Sequence, residues 1–506
     1  MIFKHHGSDN ATAINDLTLR RSWAELEERV TRIANLLRNG MGLTADQHVA
    51  MIMENRCEFV EIVLGAILAG LWITPLNRHL AADELAYVLG DSGARVVFTD
   101  PAHTALVRTL SPTASIIEAG QQLEAALTAS PAATLSMDSR PGGTMIYTSG
   151  TSGRPKGVKR ARPATLGAYL EAARQGGRNF GLDGSGAHLI TGPLYHAAPL
   201  LFAIYDLLNG APMLIMPAWD EAQALDLISR HRIAHTHMVP TMFVRLLRLP
   251  EDARKAFDPS PLTLVLHGAA PVSTEVKLAM IDWWGPRLFE YWGATEGGIY
   301  TLVDSEQWLK RPGTVGRAID TFEVFAVDDQ GRRLEAGQAG TLYCRHKNSE
   351  RPFVYHGDAN KTESCYLEAS VFTAGDLGHV DEDGYVYLSE RRSNLILSGG
   401  VNIYPAEVEM VIARHPAVAD VCVFGLKDEE WGEVVHAAIE LEATAGPATA
   451  VENSDGLAED ITTFARRHLA AYKVPRTLHF QEKLPRSATG KVLVRDLRRR
   501  YSGRIV

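Results

Sequence analysis

The stretch YTSGTSGRPKGV, residues 147–158, decides how the rest of this sequence is interpreted. It holds three glycines, which allow tight backbone turns, and four Ser or Thr hydroxyls, which can donate hydrogen bonds. Two cations, Arg154 and Lys156, lie among them, and this combination suits the oxygens of a polyphosphate. The residues 144–147 before it favour a strand. The pattern predicts a phosphate-binding loop that follows a strand.

Two other interpretations of this stretch are weaker. A Walker A loop ends in Gly-Lys-Ser/Thr, whereas here Pro155 precedes Lys156 and Gly157 follows it, so a P-loop NTPase is disfavoured. A flexible Ser/Gly linker is disfavoured because linkers seldom carry Arg-Pro-Lys-Gly inside a hydroxyl-rich run.

Length and composition limit the class of protein. A chain of 506 residues exceeds what one hydrophobic core usually organises, so at least two domains are expected. With 46% hydrophobic and 22% charged residues the composition is that of an ordinary globular protein. The net charge of −9 gives no basic field that would attract nucleic acid. Nucleic acid is therefore not an expected partner.

Targeting and cysteine signals favour a cytoplasmic protein. The first ten residues lack the apolar core of a signal peptide, and the longest apolar stretch, residues 62–74, is too short to span a bilayer. We therefore predict a buried helix there and no integral membrane association. The four cysteines are far apart, without the paired spacing of metal or redox sites, and are interpreted as reduced and structural; they are Cys57, Cys344, Cys365 and Cys422.

Hydrophobic patterning indicates layered α/β structure. Ser22 and Glu25 form a capping-box pattern, and apolar residues then recur at helical spacing as far as Gly40. Short β-rich runs alternate with helical stretches; they are residues 48–53, 96–99 and 262–267. Residues 442–460 read as a surface loop, and a helix over 461–470 opens a compact C-terminal unit.

Further motifs follow in a fixed order, and together with the loop they resemble the adenylate-forming superfamily of acyl-CoA synthetases, peptide-synthetase adenylation domains and firefly luciferases. The matching segments are HGAAP at 267–271, EYWGATEG at 290–297, FTAGDL at 372–377, ERRSN at 390–394, SGGVNIYPAEVE at 398–409 and PRSATGK at 485–491. The resemblance covers nearly the whole chain.

The residues of the segment EYWGATEG are suited to bind a nucleotide and its metal ion. Trp292 offers a flat face for adenine, although the family more often has Tyr there, and the hydroxyl of Thr295 can hold the α-phosphate. The carboxylate of Glu296 is a hard oxygen ligand for Mg²⁺, and Thr151 is the second predicted metal ligand. In isolation Thr-Glu would mean little.

By resemblance, single residues of the other segments receive roles. Asp376 would bond both ribose hydroxyls, although a lone Asp in a turn is more often a surface residue, and Arg391 would contact the ribose. Lys491 would bridge the substrate carboxylate and the α-phosphate, a position where the chemistry requires a cation. His196, in the segment PLYHAAP at 193–199, would gate the acyl site, the alternative being a core histidine.

The predicted site thus has a catalytic set and a nucleotide and coenzyme A set. The catalytic residues are Lys491, Thr295, Glu296 and His196. The binding residues are Thr148, Ser149, Gly150, Thr151, Ser152, Gly153, Lys156, Gly268, Ala269, Ala270, Tyr291, Trp292, Gly293, Thr295, Asp376, Arg391 and Lys491, with Gly399 and Gly400 in the loop that would let pantetheine pass.

The resemblance implies a large N-terminal layered α/β domain over residues 1–391 and a small mobile α+β C-terminal domain over 392–506. The hinge would lie near Ser393, where the family usually has Asp or Lys. Hinges absorb backbone rotation without one obligatory residue, so the rotation is expected to survive.

The resemblance further implies a two-step reaction with ATP, Mg²⁺ and coenzyme A, in which a carboxylic acid is adenylated and then transferred to the thiol. The residues expected near the acyl group are small or apolar and predict an apolar acid; they are Ala197, Ala198, Met238, Val239, Thr241, Met242 and Ala269. Residues 308–316 and 389–394 resemble the branch of long-chain fatty acid and bile-acid or steroid-acid CoA ligases, and this resemblance implies a fatty or steroid-type acid. A fatty acyl-AMP ligase that loads a carrier protein, a luciferase-type oxygenase and an inactive nucleotide- or acyl-binding protein stay open, as does a homodimer.

Overall fold

The computed structural model describes residues 2–5, 7–148, 154–270, 272–328, 330–388, 396–441, 454–485 and 492–502. The chain divides into two units. The first consists of Met1–Arg78, Leu89–Tyr147 and Gly157–Ser389, and the second of His79–Val88, Thr148–Lys156 and Glu390–Val506.

Most of the described α-helices bury one face. They are α1 (Trp23–Asn35), α2 (Cys57–Leu68), α3 (Ala82–Ser92), α4 (Thr104–Leu110), α5 (Gln121–Thr128), α6 (Leu166–Asn179), α7 (Ala197–Asn209), α8 (Glu221–His231), α9 (Pro240–Leu247), α10 (Glu251–Ala256), α11 (Thr274–Trp284), α12 (Ser305–Lys310), α13 (Ala359–Ser364), α14 (Pro405–Ile412), α15 (Ser454–His468) and α16 (Val494–Tyr501). A π-helical turn, Leu36–Gly40, continues α1.

Most of the described strands are short, as the sequence patterns predict. They are β1 (Thr12–Asn15), β2 (Arg20–Ser22), β3 (His48–Ile52), β4 (Trp72–Pro75), β5 (Val96–Thr99), β6 (Ser115–Glu118), β7 (Gly143–Thr148), β8 (Lys156–Arg160), β9 (Ala187–Ile190), β10 (Met213–Ile215), β11 (Ile233–Met238), β12 (Leu264–His267), β13 (Leu288–Ala294), β14 (Gly298–Asp304), β15 (Gly316–Ala318), β16 (Phe322–Val327), β17 (Gly340–His346), β18 (Phe353–Tyr355), β19 (Tyr366–Glu368), β20 (Val371–Phe372), β21 (Leu377–Val380), β22 (Tyr385–Leu388), β23 (Ile396–Ser398), β24 (Val401–Ile403), β25 (Val418–Asp428), β26 (Gly432–Leu441) and β27 (Thr477–Gln481).

The predicted site residues from the segments at 267–271, 290–297 and 372–377 lie on the largest sheet or in its loops. Its order is β19-β20-β17-β21-β22-β15-β14-β13-β12-β11-β9-β10-β1-β2, with β16 beside β17. The strands β9 to β13 are parallel to one another, so their carboxyl ends lie at one edge. Loops at that edge of a parallel sheet are where ligands bind in α/β proteins. The segments after β12 and at the end of β13 begin there.

A second sheet carries both ends of the phosphate loop. Its order is β18-β8-β7-β4-β3-β5-β6. Thr148 ends β7 and Lys156 begins β8, so the predicted strand before the loop is confirmed. At the start of β7, Gly142 and Gly143 donate backbone hydrogen bonds to Ile67 and Leu71 at 2.6 and 3.0 Å.

The second unit contains a mixed sheet with helices, which agrees with the predicted α+β character. The sheet order is β24-β23-β26-β25, with β27 parallel to β26. Apolar residues of α14 and α15 pack on this sheet, among them Val408, Ile412 and Ile461.

Several sequence predictions can be compared directly. The capping box of Ser22 and Glu25 is present in both directions, and α1 with its π-helical turn reaches Gly40 as predicted. The buried helix α2 contains residues 62–68 of the apolar stretch, but residues 72–74 belong to strand β4, so the predicted helix is wrong in its last part. No helix in the described ranges is long and apolar enough to cross a membrane. All four cysteines are buried and unpaired by disulfides.

The predicted loop over residues 442–460 is wrong in its last part. Helix α15 begins at Ser454 and ends at His468, whereas a helix over 461–470 was expected. Leu457 and Ile461 lie one helical turn apart, and both pack in the core of the second unit, so the helix extends towards its N-terminus. Residues 442–453 lie outside the described part of the chain.

Replacement of Gly142 by Ala is expected to destabilise the first unit. A Cβ atom there would lie 2.1 Å from the backbone oxygen of Leu71, so the strand that leads to the phosphate loop must shift. Overpacking against backbone costs about 3 kcal/mol or more, and the midpoint of thermal unfolding should fall.

Gly90→Ala is the matched control from the same unit. Gly90 lies in α3 with nothing within 4 Å of an added Cβ, so the substitution should stabilise the helix by about 0.5–1 kcal/mol. Equal midpoints for the two variants would contradict the packing described at Gly142.

Candidate active site

A hydrogen bond between two predicted nucleotide residues organises the site of the first unit. The indole Nε1 of Trp292, on β13, donates to Oδ2 of Asp376, just before β21, at 2.9 Å. Both side chains are buried, at 6% and 3% exposure. The structure therefore assigns Trp292 a positioning role towards the carboxylate predicted to bind ribose. Stacking of adenine on its ring stays a prediction.

The carboxylate of Glu296 is also held in place. It lies in the three-residue turn between β13 and β14, and the hydroxyl of Tyr355 donates to its Oε1 at 2.8 Å. Tyr355 ends β18, which pairs with β8 opposite Val158. The predicted metal ligand is thus tied to the strand that follows the phosphate loop.

The turn itself depends on glycine. A Cβ atom on Gly293 would lie 2.2 Å from the oxygen of Gly298, and Gly298 has a φ of +89°. Larger residues at these positions would push β13 and β14 apart. Thr295 and Glu296 are half-buried in this turn.

Close backbone approach also shapes the loop after β12. A Cβ atom on Gly268 would lie 2.6 Å from the oxygen of Tyr291. Ala269 follows with a φ of +65°, a left-handed conformation that a non-glycine residue seldom adopts. Strained backbone of this kind is concentrated at ligand sites. The predicted loop of Gly268, Ala269 and Ala270 therefore has the backbone expected of a binding segment.

His196 lies at the start of α7, as its N-cap residue, and its ring packs on Tyr195 at a centroid distance of 4.6 Å. It is half-buried and close enough to His237 to help lower the pKa of that residue. Ala198 of the same helix packs against a set of buried residues that we call the Phe202 cluster: Phe180, Leu182, Phe202, Leu264, Leu266, Tyr291 and Ile299. Met238 and Met242 pack instead with Phe243 in another cluster.

In the second unit, the predicted coenzyme A loop is a tight hairpin turn. Gly399 and Gly400 join β23 to β24 and have φ values of +60° and +79°. Two positive φ values in a two-residue loop are typical of a type I′ turn, which strongly favours glycine. A Cβ atom on Gly399 would lie 2.9 Å from the ring of Trp431.

Some predicted site residues lie outside the described part of the chain. They are Ser149, Gly150, Thr151, Ser152, Gly153, Arg391 and Lys491, together with the hinge residue Ser393. Their roles, and the domain boundary at residue 391, stay predictions.

Three polar residues near the site were not predicted. Tyr355 belongs to none of the motifs, so nothing in the sequence identified it. His237 precedes the apolar residues expected near the acyl group and is bonded to Tyr291. Lys277 donates to Glu290 at 2.5 Å, and burial raises the pKa of Glu290. Its spacing to Ile281 and Trp284 on α11 could have revealed this lysine on an apolar face.

The residues fit a magnesium ion that is shared with a nucleotide. Within the described residues, no group of three or more His, Cys, Asp or Glu could hold a metal by itself. Mg²⁺ bound to a nucleotide needs only one or two carboxylates beside the phosphates. Glu296, oriented by Tyr355, would supply one such carboxylate.

Comparison with known proteins identifies the family of this chain. The family described as AMP-binding enzyme matches residues 4–351, and its C-terminal domain matches residues 407–491. This chain belongs to the AMP-binding enzyme family. The predicted membership of the adenylate-forming superfamily and its fold are thereby confirmed.

The relatives are similar over nearly their whole length. A 2-succinylbenzoate–CoA ligase of Geobacillus kaustophilus is 31% identical over 96% of this chain and 94% of its own. The fatty acid–[acyl-carrier-protein] ligase ScoC of Streptomyces coeruleorubidus is 30% identical over 95% and 92%. A solved o-succinylbenzoate CoA synthetase variant of Bacillus subtilis, bound to a product analogue, has a TM-score of 0.82 at 27% identity, covering 97% and 96%. This chain is thus an AMP-forming ligase.

Replacement of Trp292 by Phe should weaken the use of ATP. The variant keeps an aromatic ring but removes the donor to Asp376, and a hydrogen bond to a charged group contributes about 1.5–3 kcal/mol. The KM for ATP in pyrophosphate release should therefore rise about tenfold or more, with a smaller change in the KM for the acid.

Trp283→Phe is the control, since its indole donates to the backbone oxygen of Arg254 and has no contact with Asp376. An unchanged KM for ATP in Trp292→Phe would show that the hydrogen bond does not position the carboxylate.

Proposed function

We propose that this protein activates an apolar carboxylic acid of fatty or steroid type with ATP and Mg²⁺ and transfers the acyl group to coenzyme A. The products are acyl-CoA, AMP and pyrophosphate. The observation that carries this proposal is the pair of oriented carboxylates in the first unit. Asp376 is held by Trp292 and Glu296 by Tyr355, which suits ribose hydroxyls and a phosphate-bound cation respectively.

In the adenylation step, a carboxylate oxygen of the acid attacks the α-phosphorus, and the bond from that phosphorus to the oxygen of the leaving pyrophosphate breaks. Negative charge must be balanced as the two anions approach. Lys491 is the proposed cation for this step, and Thr295 would orient the α-phosphate. Mg²⁺ would neutralise the charge that develops on pyrophosphate.

In the transfer step, the thiol of coenzyme A attacks the acyl carbon, and the carbon–oxygen bond to AMP breaks. The Gly399–Gly400 turn is the proposed passage for pantetheine, because it presents backbone without side chains. The 2-succinylbenzoate–CoA ligase relative supports coenzyme A as the acceptor.

A carrier protein is the second candidate acceptor. The observation in its favour is the 30% identity with ScoC, a ligase for a fatty acid and an acyl-carrier protein. The same relative supports an apolar fatty acid as the substrate. The two acceptors differ in an observable way, since a carrier-protein ligase would form no acyl-CoA.

The proposal is tested by pyrophosphate release over fatty, steroid and aromatic acids, each with and without coenzyme A. We expect turnover with apolar monocarboxylates, strongly stimulated by coenzyme A, with acyl-CoA detected by mass spectrometry. Release without any acyl-CoA would favour the carrier-protein acceptor. Absence of release with every acid would instead favour an inactive binding protein.

Replacement of Lys491 by Ala should separate the two steps. Adenylation should fall by at least about 100-fold, as when a positioned transition-state donor is removed. Conversion of supplied acyl-AMP to acyl-CoA should remain largely intact. Both half-reactions are measured separately, by pyrophosphate release and by thioester formation.

Lys483→Ala is the matched control, because Lys483 is an exposed lysine near the same end of the chain. It should leave both steps unchanged. An equal loss of both steps in Lys491→Ala would contradict the role proposed for this lysine.

A further inference from the structure

A polar pair lies inside the otherwise apolar Phe202 cluster. The Nε2 atom of His237, near the end of β11, is 3.0 Å from the hydroxyl of Tyr291 on β13, and both side chains are buried. The ring of Phe202 lies 5.4 Å from the ring of His237 and 5.4 Å from that of Tyr291. Burial of polar groups is costly unless they are hydrogen-bonded, and here His237 and Tyr291 bond each other.

The pair lies beside the predicted acyl site. Phe202 follows Ala198 by one turn of α7, and Ala198 packs against the same cluster. His196, the predicted gate, is near enough to His237 to affect its pKa. On the other side, the ring of Tyr291 would be 2.8 Å from a Cβ atom on Gly268. The pair is thus placed between the gate and the backbone loop after β12.

The pair is electrically neutral at physiological pH. Burial lowers the pKa of His237 to about 3, and burial raises the pKa of Tyr291. A neutral pair offers no charge to balance a second carboxylate or an ammonium group of a substrate. The pair can, however, form a hydrogen bond with a neutral hydroxyl. When the hydroxyl of Tyr291 donates its hydrogen to His237, its oxygen still has lone pairs that can accept a hydrogen bond.

We propose that His237 and Tyr291 determine substrate specificity by accepting a hydrogen bond from a hydroxyl group on the hydrophobic body of the acid. The preferred substrate is therefore a hydroxylated apolar monocarboxylic acid, of steroid or aromatic type, rather than an unbranched fatty acid. This inference rests on the proposed function, because it assigns a substrate class to the same acyl site.

Within the Phe202 cluster, the pair of His237 and Tyr291 is the hydrogen-bond partner for such a hydroxyl. The remaining members of the Phe202 cluster are hydrocarbon side chains, which cannot bond it. A hydroxyl moved out of water without a partner carries a penalty, and one with a partner does not. Hydroxylated acids are therefore accepted because of the pair, while their deoxy analogues bind through apolar contact alone.

The test compares acids that differ only in one hydroxyl: 4-hydroxycinnamate with cinnamate, and a hydroxylated steroid acid with its deoxy analogue. The measured quantity is the ratio of kcat/KM within each pair, from pyrophosphate release by the full-length protein. We expect a ratio of about tenfold or more in at least one pair for the wild type. Ratios near one in both pairs would overturn the proposal without any variant.

Variants then test whether the ratio of kcat/KM between hydroxylated and deoxy acids depends on His237 and Tyr291. Tyr291→Phe removes the hydroxyl and should reduce the ratio to within about threefold; the ratio within one variant cancels any general loss of activity. Tyr205→Phe removes another tyrosine hydroxyl beside the same cluster and should keep the wild-type ratio. The glutamine in His237→Gln can still form a hydrogen bond with Tyr291, whereas the leucine in His237→Leu cannot. The ratio of kcat/KM should therefore be larger in His237→Gln than in His237→Leu.

The outcomes separate this inference from the proposed function. A wild-type protein that releases pyrophosphate only with unhydroxylated fatty acids retains the proposed function and overturns this inference. If none of the acids gives pyrophosphate release, both the proposed function and this inference are overturned. A ratio that persists in Tyr291→Phe overturns the inference, and if that variant does not fold, equal ratios in the wild type, His237→Gln and His237→Leu overturn it instead.

Discussion

The hydrogen bond from the Trp292 indole to the Asp376 carboxylate joins parts of the chain that are 84 residues apart. A buried carboxylate is costly unless donors satisfy it, so this bond fixes the end of β13 relative to the turn before β21. The same strand carries Tyr291 next to Trp292, and Glu296 follows in the turn after the strand. The positions of the residues proposed for the ribose, the metal and the acyl group therefore depend on where β13 ends.

Backbone contacts supply the remaining precision of the site. Gly268 lies against the backbone of Tyr291, and Gly293 lies against that of Gly298, at distances that exclude a Cβ atom. The left-handed conformation of Ala269 belongs to the same arrangement. Such contacts bring main-chain groups close to a ligand, which suits a nucleotide whose phosphates and ribose are recognised at short range.

Local features of the fold could be predicted from the sequence because their causes are local. The capping box of α1 and the glycine turn at Gly399 depend on residues next to each other in the chain. The start of α15 was placed too late, because the composition of residues 442–460 suggested a loop. The inclusion of residues 79–88 and 148–156 in the second unit was not predicted, since it depends on contacts between distant segments.

The same distinction holds for the site. The motif residues Glu296 and Tyr291 could be identified, but their partners could not. The bond of Tyr355 to Glu296 spans 59 residues, and that of His237 to Tyr291 spans 54. No motif contains Tyr355 or His237, so only the packing of strands reveals them. Tyr355 orients the carboxylate of Glu296, and the proposed preference for hydroxylated acids rests on the contact of His237 with Tyr291.

Adenylation of the carboxylate is the central claim, and transfer of an isotopic label tests it most directly. An acid labelled with ¹⁸O in its carboxylate is converted in the presence of ATP, Mg²⁺ and coenzyme A, and the products are weighed by mass spectrometry. Attack of the carboxylate on the α-phosphorus predicts one ¹⁸O atom in AMP for each thioester formed, since the carbon–oxygen bond breaks in the second step. Label in orthophosphate with formation of ADP would contradict the account.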